Sequence, residues 1–228
     1  MKKKRRILPK YAYIPVGICI IFNALAYNVS RLFTNLLPHY DFSLPIDSMI
    51  PYVSPFIVIY ILSYLLWVIG FVIFARENRS ICNEMFASEL IGKILCLACF
   101  IIIPTEMTRA DVTGGGIFNW LTSVVYTFDQ PNNLFPSIHC MESWICFRGA
   151  FKCKKISSYY CSAWFILAVL ICASTVLVKQ HLFVDIFAGI AVGEIGMLLA
   201  KKFNIGGIYD ALRLRWIMLY RAHKKAVN

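Results

Sequence analysis

The chain has 228 residues, 59% of them hydrophobic and only 15% charged, with a formal net charge of +11 and a mean hydropathy of +0.66. Soluble domains carry about 45–50% apolar residues, so this balance excludes a soluble globular domain and points to an integral membrane protein. The positive charge comes with no nucleic-acid motif; it reads as a topology signal and an attraction to anionic lipid headgroups.

Apolar runs suited to crossing about 30 Å of hydrocarbon as helices fall at 12–30, 53–75, 85–104, 137–151, 158–178 and 180–200. The predicted fold class is all-α, a polytopic membrane helical bundle with about six transmembrane helices in a single domain, 1–228. Five spans are the alternative, because the fourth run is short and carries His139, Glu142 and Arg148. Residues 203–228 are expected as a cytoplasmic tail.

At the N-terminus, Lys2 to Arg6 and the sequence Ala24-Leu25-Ala26 have the look of a signal peptide. The apolar stretch continues past Asn23 and Asn28, interrupted by Ser30 and Arg31, as far as Phe33, so a retained first span is expected. Between spans lie two long segments. Residues 31–52 hold Pro38, His39, Asp41, Pro45 and Asp47, and 105–136 hold Glu106, Arg109, Asp111, Gly114 to Gly116, Asp129, Asn132 and Asn133. The second is longer than a connection requires, which marks a functional loop; its three glycines read as flexible punctuation. Beyond Phe203, one helical stripe of Ile208, Leu212, Trp216 and Leu219, with Arg213, Arg221, Lys224 and Lys225 elsewhere, predicts an amphipathic interfacial helix.

Cytoplasmic loops collect Lys and Arg. With the N-terminus inside, Lys2, Lys3, Lys4, Arg5, Arg6, Lys10, Arg76, Arg79, Arg148, Lys152, Lys154, Lys155 and the tail from Lys201 to Lys225 fall on the cytoplasmic side, and only Arg31, Arg109 and Lys179 fall outside. A multi-pass protein of the cell membrane with both termini cytoplasmic follows, and the three outer cations require a reason. The nine cysteines read as small packing residues, including the Cys96-x-x-Cys99 pair in a predicted span.

Ionisable groups within a membrane are functional candidates by default. In the stretch VLVKQHLFVDIFAG, His181 and Asp185 are four residues apart and share a helix face. A carboxylate there holds the imidazole in one tautomer and leaves the other ring nitrogen free to attack an electrophile. Upstream, Asn132 to His139 opens a second helix, whose unpaired N–H groups near Ser137 suit a phosphate. His139, further in, suits a general acid, and Arg109 and Lys179 add cations able to grip phosphate oxygens. A lone intramembrane His is more often a polar lock, and His139, His181 and Asp185 also make a chemically reasonable zinc set, although Arg109 and Lys179 would repel a divalent cation. Glu89, Lys93, Glu142 and Glu194 are expected as intramembrane pairs without an assigned function, and Asp47, Asp111 and Asp129 as loop residues able to help recognise a substrate head.

Pro136-Ser137-Ile138-His139 and Ser174 to Asp185 resemble the second and third signatures, P-S-x-H and S-R-x5-H-x3-D, of the type 2 phosphatidic acid phosphatase superfamily. The resemblance covers about residues 85–200, which it implies are the catalytic core. It implies a membrane lipid phosphatase in which His181 is the nucleophile, Asp185 its orienting partner, His139 the acid, and Arg109 with the Ser137 region the phosphate clamp, with no metal or other cofactor. The implied partners are a lipid phosphate on the extracytoplasmic side and the bilayer; the sequence carries no signal for oligomeric state. The first signature, K-x6-R-P, is met only at Arg109, since Ile102 and Ala110 stand at its Lys and Pro, and Thr175 stands at the Arg of the third. Lys179 is then the nearest replacement cation. These departures look more like the branch related to inositol phosphorylceramide and sphingomyelin synthases, where an alcohol accepts the phosphoryl group; a silent binder or transporter of lipid phosphates is the non-enzymatic alternative.

Overall fold

The computed structural model describes residues 7–34, 37–109 and 111–227, the side chains of 24–34 and 225–227 excepted. The expectations for Lys2 to Arg6 and Ala110, and those for the side chains of Ala24 to Ala26, Asn28, Ser30, Arg31, Phe33 and Lys225, lie outside what is described. The chain forms α1 (Tyr13–Thr34), α2 (Pro45–Met49), α3 (Ile57–Glu77), α4 (Arg79–Ile102), α5 (Ile117–Phe128), α6 (Ile138–Ala150), α7 (Ser158–Leu177), α8 (Phe183–Lys202) and α9 (Gly206–Val227), with no strand among the described residues. It is an all-α membrane bundle. The sequences of α3, α7 and α8 are apolar around their whole circumference, the pattern of helices that meet lipid or protein on every side.

Hydrogen bonds between segments set the helix directions. At one end the Tyr11 hydroxyl donates to the Ala75 carbonyl at 2.8 Å, and the Lys154 and Lys155 amides donate to the Glu77 carboxylate at 3.1 and 3.2 Å. There too Arg79 pairs with Asp210 of α9 at 2.5 Å. At the other end the Val53 amide reaches the Leu177 carbonyl at 2.9 Å, the Tyr40 amide the Pro104 carbonyl at 2.9 Å, and the Ser137 amide the Asp185 carbonyl at 3.2 Å. Helices α1, α3, α4, α6, α7 and α8 therefore alternate in direction, and the chain passes between the two ends six times.

Among the described residues four helices are long and apolar enough to cross a membrane: Ser54–Glu77, Arg79–Ile102, Ser158–Leu177 and Phe183–Lys202. Helix α1 adds 22 residues. The run expected as a span at 137–151 is instead a 13-residue helix, α6, about 20 Å long at 1.5 Å per residue. It is enclosed by protein: Met141, Ile145 and Cys146 of α6 form one core with Phe74 of α3, Met85 and Cys96 of α4, Trp164 of α7 and Met197 of α8. Its polarity is tolerated because little of it faces lipid.

The long segment 105–136, read as a loop, contains α5, and the backbone at Gly114 and Gly116 takes φ of 93° and 107°, the left-handed region that favours glycine. All nine cysteines are free. In α9, Tyr209 is buried against the bundle while Ile208, Leu212, Trp216 and Leu219 are exposed, so protein leaves the predicted apolar stripe uncovered.

Helix α8 approaches its neighbours through glycines. A Cβ on Gly189 would lie 2.4 Å from the Ser137 carbonyl oxygen, and one on Gly196 would lie 2.7 Å from the Ser88 carbonyl oxygen. Backbones this close need small residues, and neither carbonyl is a flexible side chain that can step aside. Gly189→Ala is therefore expected to lower stability by about 1–3 kcal/mol, read as a fall in the thermal unfolding midpoint of the purified protein in detergent. An unchanged midpoint would show that the α6–α8 contact is not tight.

Candidate active site

The starts of α6 and α8 meet. Ser137 is the N-cap of α6, its hydroxyl accepting from the Cys140 amide at 3.3 Å, while its own N–H goes to the Asp185 carbonyl. The amides of Ile138 and His139 are left as the donors of the first turn. On α8, the Asp185 carboxylate is fully buried; its Oδ2 accepts from the Leu182 amide at 2.9 Å and lies 3.2 Å from Nδ1 of His181. One oxygen thus caps the helix and orients the imidazole, leaving Nε2 of His181 as the free ring nitrogen.

The ring of His139 lies 5.9 Å, centroid to centroid, from that of His181. It stacks on Tyr60 at 4.3 Å and meets Tyr64 and Trp67 edge-on at 5.3 and 5.0 Å. Its Nε2 is buried without a hydrogen-bond partner among the described residues. Tyr60, Tyr64 and Trp67 repeat at one helical face of α3, a spacing visible in the sequence but unremarked within an apolar run. The Tyr60 hydroxyl donates to Asp129 at 3.0 Å, joining the segment after α5 to this aromatic wall.

Arg109 and Lys179 have different surroundings. The Arg109 guanidinium donates to the Gln180 Oε1, contacts the Tyr126 carbonyl at 3.4 Å and lies 4.3 Å over the Tyr126 ring. Burial pulls its pKa below the usual arginine value, against the attraction of Asp129, and its Nε has no partner among the described residues. Lys179 instead donates from Nζ to the carbonyls of Asp47 and Ile50 at 2.8 and 2.5 Å; burial lowers its pKa, with the Asp47 carboxylate opposing. The same Asp47 accepts the first-turn Phe183 amide of α8 at 2.7 Å. Residues 47–50 thus form a strap over the segment that carries His181.

The structure therefore brings together His181, Asp185, His139 and Ser137, joins Arg109 to them through Gln180, and sets the Lys179 ammonium on the strap. Gln180 was not singled out by its sequence. It is 1% exposed, its Nε2 has no partner among the described residues, and it lines the same cavity as both histidines. Thr175 is fully buried, its hydroxyl on the Cys172 carbonyl at 2.8 Å, while its carbonyl accepts the Gln180 and His181 amides at 2.9 and 3.1 Å. That cavity, about 820 Å³, runs from His139 and His181 between α1, α3 and α4 past Phe71 and Phe86 to Leu8. Among the described residues no group of three or more His, Cys, Asp or Glu is placed to hold a metal ion.

Residues 117–204 match the PAP2 superfamily. The match runs over α5 to α8 and takes in both motifs that carry the resemblance, which supports a phosphatase- or phosphotransferase-type membrane protein. The matched segment holds Ser137, His139, Thr175, His181 and Asp185; Arg109 lies before it. No curated protein and no solved structure matches the chain.

Replacing Lys179 by Met keeps the length of the side chain and removes both strap bonds. Amide hydrogen exchange across 44–50 is expected to accelerate by about tenfold or more, as for a segment whose local opening becomes easier, while α6 amides keep their rates. Unchanged exchange in 44–50 would show that Lys179 does not hold the strap.

Proposed function

We propose that the protein is a metal-independent lipid phosphatase that hydrolyses a lipid phosphate ester through a phosphohistidine at His181. The observation that carries this reading is the pair of imidazoles 5.9 Å apart, one held by Asp185 and the other unpaired at Nε2, at the head of a largely apolar cavity. Nε2 of His181 attacks phosphorus, the N–P bond forming as the P–O bond to the lipid breaks. His139 gives its proton to the departing oxygen and then takes one from the attacking water, whose oxygen displaces His181 and releases phosphate. Asp185 holds His181 in position and stabilises its positive charge. The Ile138 and His139 amides at the Ser137 cap, the Gln180 amide and Arg109 supply donors for the phosphoryl oxygens. Lys179 contributes by seating the strap beside the nucleophile.

The distribution of basic residues supports an extracytoplasmic site in a cell-membrane protein with cytoplasmic termini. Arg76, Arg79, Lys152, Lys154, Lys155, Lys201 and Lys202 gather at the end opposite the histidines, where cytoplasmic loops collect positive charge.

A second reading, transfer of the phosphoryl group or phospho-headgroup to an alcohol, is favoured by Thr175. The position where the hydrolases carry an arginine is closed and hydrogen-bonded internally, so the phosphate clamp departs from the hydrolytic pattern. Analysis of lipid products with and without inositol or choline-bearing lipids separates the two.

Purified protein in detergent, given a panel of lipid phosphates with EDTA present, is expected to release phosphate. His181→Ala should lower the rate by about 10³-fold or more, and Asp185→Asn by about 10²–10⁴-fold, with unfolding midpoints near that of the wild type. Phosphate release that persists in folded His181→Ala would remove the phosphohistidine.

A further inference from the structure

One turn below His139 the same cavity holds a charged cluster that the chemistry above does not use. Glu89 and Lys93 of α4 are ion-paired, and the Lys93 Nζ reaches Glu142 of α6 at 2.6 Å. All three side chains are more than nine-tenths buried, and all three line the cavity. Two carboxylates facing one ammonium leave more oxygens than the ammonium fills. Glu89 Oε2 and Glu142 Oε2 are both buried and have no hydrogen-bond partner among the described residues. The Cys19 thiol donates to the Phe86 carbonyl at 3.7 Å and also lies within reach of the Glu89 carboxylate. Open acceptors of this kind are costly in an apolar interior and call for a partner.

The polarity of the cavity is ordered along its length. At its head the unpartnered atoms include Nε2 of Gln180, an N–H donor, and Nε2 of His139, a donor when protonated, which suit phosphoryl and ester oxygens. Glu142 follows His139 by three residues, placing its acceptors about 5 Å further down the α6 axis. Beyond them the walls turn apolar at Phe71, Val72 and Phe86. A ligand matching this order has acceptors first, a donor next and a hydrocarbon chain last.

We propose that Glu89, Lys93 and Glu142 form a recognition subsite for a hydrogen-bond donor, an amine or a hydroxyl, carried on the lipid backbone close to the phosphate. The inference rests on the phosphate end lying at His139 and His181. It selects single-chain lipid phosphates with a free hydroxyl or amine at C2 over diacyl phosphates, whose esters offer only acceptors at that depth and leave both carboxylate oxygens open. A site built to bond a substrate hydroxyl or amine rejects the analogue that lacks it, because its own buried groups then go unpaired.

The test compares three single-chain lipid phosphates that differ only at C2, as free hydroxyl, primary amine and methyl ether. With wild-type protein, kcat/KM for the ether is expected about tenfold or more below that for the better donor; a ranking of amine over hydroxyl identifies the charged ligand, and the reverse identifies the neutral one. In Glu142→Gln the advantage of the amine over the ether should shrink. The same three compounds are also made to displace a fluorescent lipid phosphate from the intact His181→Ala protein, which reads the subsite without turnover. Ether, hydroxyl and amine within about twofold of one another in wild-type turnover, or in binding where no turnover occurs, would overturn the subsite and show that the cluster only ties α4 to α6. Ranked binding with no phosphate release from any compound would leave the subsite standing and remove the phosphatase.

Discussion

The meeting of the α6 and α8 N-termini is the constraint on which the rest of the site depends. The Ser137 amide bonds to the Asp185 carbonyl, and the Ser137 carbonyl lies where any side chain at Gly189 would begin. Asp185 then acts in both directions: its backbone joins the helices, while its carboxylate caps α8 at Leu182 and orients His181. His139 enters from the other partner of the joint, one residue inside the first turn of α6. The separation of the two imidazoles is thus set by rigid backbone rather than by flexible side chains, which is how a reacting geometry is kept within the tolerance that catalysis needs.

Around this joint the bundle arranges polar groups so that each has a structural reason to lie in an apolar setting. The short helix α6 carries His139, Glu142 and Arg148, and protein rather than lipid covers its first two turns. Lys93 pairs with Glu142 across to α4, and Arg148 pairs with Glu194 of α8 at 2.9 Å, an oxygen that also accepts from Trp144 at 2.7 Å. Paired charges are the form in which ionisable groups persist in such an interior. Four of the atoms without a partner among the described residues, on Glu89, His139, Glu142 and Gln180, line the cavity, where a ligand is able to satisfy them.

The strap adds a connection that runs opposite to the usual view of a loop as a passive link. Lys179 takes a left-handed backbone conformation, φ 53°, at the reversal between α7 and α8, a conformation that costs a non-glycine residue energy. Its side chain compensates by gripping two carbonyls of residues 47–50, and Asp47 returns to cap α8. The segment before α3 thereby steadies the segment that carries His181.

Much of this protein was determined by the sequence itself. Apolar run length marked the helices, Lys and Arg placement marked their two ends, and the spacings Pro136 to His139 and His181 to Asp185 marked the two histidines that the fold brings together, because local periodicity and short spacing are properties of the chain alone. The tertiary structure decided what those residues face. It made α6 a short enclosed helix rather than a full span, placed α5 within an apparent loop, set the Lys179 ammonium on the strap, and brought Gln180 and the Tyr60–Tyr64–Trp67 wall to the histidines. None of these is a local property: burial and hydrogen-bond partners depend on segments tens of residues away, and a lysine two residues before His181 in sequence has a side chain long enough to bond on either side of the backbone.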